Sequence, residues 1–328
     1  MPLGAGQRLW GPVDRPPIAS LSHRPGRSVG LAGPGPSETA IVRENVSRLA
    51  RPALWAENNE TRVLYVTSDS AKPWHASTDL ALATQIGQEP WSIDPVTSDL
   101  AAEFSPAVAA ASWGAAAAWE RIAGDAANLT HPAEVAPLLE IVACFYDLQS
   151  SLWTEPVALT TNQVVDRRPV VVAWTDGAGI LWIQNQGDAS VGTAASGDRV
   201  CFAATAGAGQ WQQPVILWEG PQGVLDLSAV CGPDGVLYAA WIVDEDGDPA
   251  TRVDRELYSC TAFSRIWGVP VRLTRDAVED ADPSLAIIGT NPLFVWRSEG
   301  ALTYATAGQW NPRRVHQVEA EDADGECG

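Results

Sequence analysis

Lysine is almost absent: Lys72 stands alone, the rest of the 21 basic residues are arginine, and 40 acidic residues leave a net charge of −19. A surface of that sign repels polyphosphate, so nucleic-acid binding and docking on anionic membranes are disfavoured. Long apolar runs are missing too. No segment approaches the ~18 residues of a membrane span, and the opening MPLGAGQRLWGPVDRPP has no apolar signal-peptide core. The expectation is a soluble protein made in the cytoplasm, with non-classical export as the exception. Histidine (4) and cysteine (5) are scarce, and no CxxC pair, phosphate-cradling glycine loop or GxSxG motif occurs. Zinc, nucleotide and serine-hydrolase chemistry therefore have no support. Cys144, Cys201 and Cys260 read as core thiols on three equivalent strands rather than as a disulfide framework. Sequons at Asn45, Asn59 and Asn128 carry little weight without a secretory signal.

Tryptophan, in contrast, is abundant, and nine of its 15 residues occupy two recurring positions. Pro283 precedes Trp296 by thirteen residues, and the same thirteen separate Pro106 from Trp119, Pro169 from Trp182, Ser228 from Trp241 and Pro52 from Tyr65. A second tryptophan closes each unit: Trp91, Trp153, Trp211, Trp267 and Trp310. Self-similarity at a period of 54 to 63 residues marks a repeat architecture.

Within a unit the segments SLAII, PLFVWR, ALTYAT and WNPRRVHQV are short and β-rich, and Gly, Asn, Asp and Pro turns separate them. Four such strands describe one blade of a β-propeller. The predicted fold is all-β, a propeller of four-stranded antiparallel blades. Six blades are expected, five clear and one degenerate at the N-terminus; the alternative is five blades with an N-terminal arm. Residues 1–50 form the arm or degenerate blade, with weak strands in PIASLS, SVGLA and TAIVR and an isolated closing strand at Trp10. Residues 51–318 form the blades, and residues 319–328 an acidic tail. The largest insertion is residues 121–137, and a short helix is expected near Ala133 to Leu139.

The closing strands resemble those of sialidase-like propellers, whose Asp-box reads roughly Ser-x-Asp-x-Gly-x-x-Trp. Before Trp267 the matching positions hold Cys260, Ala262 and Ser264, and before Trp211 they hold Ala204, Ala206 and Ala208, so only the tryptophan persists. The spacing is also similar to that of Trp-repeat propeller lectins. The resemblance implies the fold over residues 51–318, and with the box decayed no sialidase catalytic role passes to any residue here.

Most of the repeated tryptophans are expected to fill the wedges between blades. Trp74 stands outside both repeat positions, beside His75 in the polar loop TSDSAKPWHAS, and suits stacking on a sugar ring or peptide. Acidic residues precede the first strands of successive blades: Glu103, Asp166, Asp226 and, after Asp280, Asp282. A ring of these at the channel mouth, countered by Arg167, Arg168 and Arg297, would receive a cation or cationic ligand; the simpler reading is carboxylates capping turns. Asp244, Asp246 and Asp248 alternate along one loop and suit calcium. The misplaced glycine and the lack of a following bidentate glutamate favour a solvated acidic hairpin instead. No other cofactor is expected.

Every large insertion falls between the second and third strands of a unit, and scaffold loops of this kind are where recognition is built. Trp74, His75, Arg121, Asp244, Asp246 and Arg297 would meet on that face. The sequence thus points to a non-catalytic binding or scaffold propeller that recognises a carbohydrate or protein partner. A glycosidase or other hydrolase working through channel-mouth carboxylates is the alternative. Oligomeric state is left open.

Overall fold

A computed structural model describes residues 20–24, 28–32, 39–44 and 52–315, except positions 58, 130–131, 188, 190–191, 194, 206–208, 249 and 308. The strand expected at Trp10, the sequon at Asn45 and the acidic tail lie outside the described residues.

The chain is all-β. Strands β1 (Ser20–Arg24), β2 (Ser28–Ala32) and β3 (Thr39–Glu44) form a small antiparallel sheet, where the sequence suggested three weak strands. Five larger sheets follow. The first holds β4 (Ala53–Glu57), β5 (Glu60–Ser68), β6 (Thr78–Ile86) and β7 (Ser92–Pro95). In the second, β8 (Glu103–Ala111), β9 (Gly114–Ile122) and β10 (Leu139–Asp147) are edged by two fragments, β11 (Leu152–Trp153) and β12 (Val157–Ala158). The third holds β13 (Asp166–Trp174), β14 (Gly177–Asn185), β15 (Asp198–Ala204) and β16 (Val215–Glu219). The fourth holds β17 (Gly223–Cys231), β18 (Leu237–Asp244) and β19 (Arg255–Phe263), edged by β20 (Ile266–Trp267) and β21 (Val271–Arg272). The fifth holds β22 (Asp280–Ile288), β23 (Asn291–Ser298), β24 (Ala301–Thr306) and β25 (Gln309–Arg314).

All pairings are antiparallel and, apart from the edge fragments β12 and β21, join strands consecutive in sequence, the meander of a propeller blade. Tight turns set the registers. Ser298 pairs with Ala301 across Glu299 and Gly300, both at positive φ, the backbone that matches strand twist in a two-residue hairpin. The first strands β8, β13, β17 and β22 lie against one another in turn, and β4 and β5 against β8. These five sheets are the blades of a propeller-like fold. Among the described residues no packing of like extent joins β22 to β4, so the ring is not closed there.

The core lies between the sheets rather than beneath one of them. Alternate residues of β9 divide between two neighbours: Ala115, Ala117 and Trp119 join the cluster with the first sheet, Ala116 and Ala118 the one with the third. Both faces of such a strand are buried, which is why it reads as a continuous apolar run. Trp119, Trp182, Trp241 and Trp296 each fill the junction with the preceding sheet and are at most 1 % exposed. The closing tryptophans complete the wedges: Trp153 meets Trp55 edge-on at 6.1 Å, Trp211 stacks on Phe145 at 5.3 Å, and Trp267 meets Phe202 at 5.2 Å. Cys144, Cys201 and Cys260 are free, buried thiols on the third strands, as expected. A helical turn, Pro132–Val135, and a 3-10 turn, Ala136–Leu138, occupy the large insertion.

Candidate functional site

The first strands of three sheets begin in the same way. Glu103, Asp166 and Asp280 open β8, β13 and β22, and two residues later Ser105, Arg168 and Asp282 adopt φ near +50° before a proline. The register shifts at each of these points, giving bulges that turn the side chains around them.

The opening acids point inward. Glu103, Asp166 and Asp280 are fully buried, so they do not line an open mouth as the sequence suggested. Thr97, six residues earlier, donates to Glu103, and Thr160 and Thr274 hold the same place before Asp166 and Asp280. Those threonine oxygens also accept the backbone N–H of Leu80, Ile141 and Leu257, each at 2.8 Å. The repeated indoles add donors, Trp182 Nε1 to Asp166 at 2.7 Å and Trp296 Nε1 to Asp280 at 3.0 Å. These acids therefore latch the end of one blade to the start of the next. Burial pushes Glu103 up to about 7, with Asp99 adding and Thr97 and Arg121 opposing. Burial likewise raises Asp166 and Asp280 against their hydrogen bonds.

The third-to-fourth junction departs from this rule. Val224 holds the position of the acid, and Asp198 at the start of β15 takes over, accepting from Val224 N at 2.7 Å, Gly192 N at 2.9 Å and Arg167 Nη2 at 2.7 Å. Arg167 is thereby buried. Arg168 instead crosses to Asp226 of β17 at 2.8 Å, while its backbone N–H donates to Glu120 at 2.7 Å.

The remaining candidates fall into two groups at two different junctions. In the first group, a 3-10 turn, Trp74–Ala76, carries Trp74, 47 % exposed and edge-on to His75 at 5.6 Å. The His75 carbonyl accepts from Ala102 N at 2.8 Å, which pins the loop to the second sheet. Lys72 Nζ donates to Asp79 at 2.6 Å and to the Asp99 carbonyl at 3.3 Å, Arg121 pairs with the Asp99 carboxylate, and Glu103 lies 4.0 Å from Arg121. In the second group, Arg297 joins Asp282 at 2.9 Å and Glu279 at 3.5 Å; Glu279 meets Arg255 at 3.2 Å, and Arg255 meets Asp244 at 3.5 Å. Asp244, Asp246 and Asp254 gather there, whereas Asp248 stands outside the group. Burial, reinforced by Asp254, pushes Asp244 up to about 6.

Sequence reasoning missed the threonines, Asp198, Lys72 and Asp254. The threonines carried a readable signal, the repeated six-residue step to an acid; Asp254 carried none, because it meets Asp246 only through the loop's fold. A separate groove of about 720 Å³ lies between the fourth and fifth sheets, lined by Phe263, Ile266, Trp267, Val269, Phe294 and Trp310. Among the described residues no helix is long and apolar enough to cross a membrane.

The fold and the latches define a propeller-like all-β scaffold with charged loops over its blade junctions. No protein-family model matches the chain, and no curated protein matches it in sequence. Solved structures do. The polysaccharide lyase Uly1 superposes with a TM-score of 0.60 at 8 % identity, over 95 % of this chain and 81 % of that one. A protein of unknown function from Dyadobacter fermentans DSM 18053 gives 0.56 at 12 % identity, over 83 % and 84 %. The Hadza microbial sialidase Hz136 gives 0.49 at 14 % identity, over 88 % and 63 %. At these identities the likeness is one of fold.

Proposed function

We propose that the chain is a carbohydrate-binding propeller whose contact element is the Trp74 loop at the junction of the first and second sheets. The observation that carries this reading is Trp74 itself, half in solvent on a turn held by backbone bonds to both sheets, with Lys72, Asp79, Asp99 and Arg121 around it. An indole face buries the apolar side of a sugar ring, and the flanking carboxylates and cations serve its hydroxyls. The fold shared with a polysaccharide lyase supports a carbohydrate over a protein as the ligand. Trp74→Ala is expected to lower binding on a glycan array at least tenfold while the melting temperature stays within about 2 °C, since an exposed side chain adds little to stability. Binding left intact, or lost only together with folding, would defeat this reading.

Turnover of a carbohydrate is the second reading, supported by the protonatable Glu103 beside Arg121 and Asp99. Chromogenic glycosides, and a polysaccharide assay that detects unsaturated products, test it with Glu103→Gln and Asp99→Asn as controls. Turnover abolished by either substitution in a folded protein favours catalysis over binding alone. The finer architecture belongs to this proposal as well: β1–β3 serves as a sixth blade, supported by Val42 of β3, which is buried in the cluster that holds Trp55 and Tyr65.

A further inference from the structure

Strand β18 ends at Asp244 and β19 starts at Arg255, and the intervening turn folds back over its own base. One carboxylate oxygen from each of Asp244, Asp246 and Asp254 lies within 4.8 Å of the other two. Acidic turns at a surface are common and by themselves hold nothing, but Asp244 is only 1 % exposed. Both its carboxylate oxygens, and Oδ1 of Asp254, are shielded from solvent and have no hydrogen-bond donor. The nearest cation, Arg255, stands 3.5 Å from Asp244 Oδ2 and is shared with Glu279 at 3.2 Å.

The turn also orients its members. Asp246 accepts from Thr251 Oγ1 at 2.9 and 3.0 Å and from Asp248 N at 2.7 Å. Its own N–H donates to Asp254 Oδ2 at 2.9 Å, leaving Asp254 Oδ1 turned to the group. Asp248 is spent on the turn, accepting from Ala250 N at 3.0 Å.

A desolvated carboxylate without donors, as Asp244 is, facing two further carboxylates is strongly disfavoured, and a hard cation satisfies all three together. From this geometry we infer that Asp244, Asp246 and Asp254 bind a divalent cation of the calcium type at the base of this loop. Three oxygens that lie within 4.8 Å of one another can close on one ion, and an irregular loop suits calcium, which accepts flexible oxygen geometry, better than magnesium, which demands a near-ideal octahedron. The site is independent of the carbohydrate reading. Through Arg255 and Glu279 it adjoins Arg297 and Asp282, so the bound ion anchors the acidic loop over the fourth and fifth sheets.

Calcium chloride titrated into the EDTA-treated full chain, followed by calorimetry and thermal melting, tests the inference, with magnesium chloride alongside. One saturable site with a dissociation constant on the order of 10⁻⁴ M is expected, together with a melting temperature that rises with calcium and far less with magnesium. Asp254→Asn should weaken binding at least tenfold, and Asp248→Asn should leave it unchanged. If Asp254→Asn fails to fold, Asp246→Asn on the exposed part of the turn takes its place. The absence of saturable binding, equal binding by Asp254→Asn and the parent, an equal loss in Asp248→Asn, or an equal response to magnesium each overturns the assignment.

Discussion

Glu103 and Glu140 are carboxyls removed from water, and that alone sets the sign of their contribution to stability. Burial pushes both up to about 7 from an ordinary 4.5; Asp99 adds to the rise for Glu103 and Asp166 for Glu140, while bonds from Thr97 and Thr160 oppose it. Between those values the folded chain keeps protons that the unfolded chain has released. Their stabilisation is therefore complete below about pH 4.5 and is lost as the pH rises through about 7. The 19 net negative charges push in the same direction as the carboxyls ionise. A fall in melting temperature on the order of 5 °C is expected between about pH 5 and about pH 7.5, and Glu140→Gln, which mimics the protonated form, should flatten the curve. A melting temperature that climbs across this window would contradict the buried placement of both groups.

At the scale of the strand, the same acids explain how one blade finds the next. A threonine at the end of one sheet accepts from a third-strand N–H at three junctions, and at the first of them the same hydroxyl, Thr97, donates to the acid that opens the following sheet and so joins three strands. Thr160 and Thr274 are 6 % and 7 % exposed, and valine fills their volume without accepting that N–H. Thr160→Val and Thr274→Val are each expected to cost about 1–3 kcal/mol in denaturant unfolding, because the buried N–H of Ile141 or Leu257 loses its acceptor. A loss below about 0.5 kcal/mol would reduce the latch to ordinary packing.

This scale also separates what the sequence disclosed from what it withheld. The Pro-to-Trp step of thirteen and the closing tryptophans marked the strands, because a wedge between sheets needs a large side chain at a fixed place in every repeat. β22 to β24 fall where SLAII, PLFVWR and ALTYAT were read, and β25 covers the start of WNPRRVHQV. Side-chain direction was not legible. Asp280 and Asp282 sit two apart in one chain, yet the first is fully buried and the second exposed, because the bulge between Ala281 and Ser284 breaks the alternation that would put them on one face. The loop residues were judged by their place in the repeat, which brought six of them to one face. The structure divides them between two junctions, Trp74, His75 and Arg121 at one and Asp244, Asp246 and Arg297 at another.

The whole molecule turns on how the ring of sheets ends. The five large sheets pack in sequence order from β4 to β22, and the sheet β1–β3 lies before the first of them in the chain. A propeller left open exposes two blade faces, and the apolar surface on each must be covered. Val42 of β3, 7 % exposed beside Ala53 and Trp55, is where the small sheet meets the first blade, and the proposed role of β1–β3 as a sixth blade would cover at least one of those faces. Trypsin offers a direct measurement, since Arg24, Arg27 and Arg43 all lie in this region. With β1–β3 built into the ring, the native chain resists cleavage there as long as it does after residue 51, and Val42→Asp lowers global stability by about 3 kcal/mol while making those arginines labile, because an unpaired charge is buried between blades. With a loose arm, cleavage near residues 22–37 is fast, residues 51 onward survive intact, and Val42→Asp leaves the melting temperature of that fragment unchanged. The second pattern rules out the sixth blade.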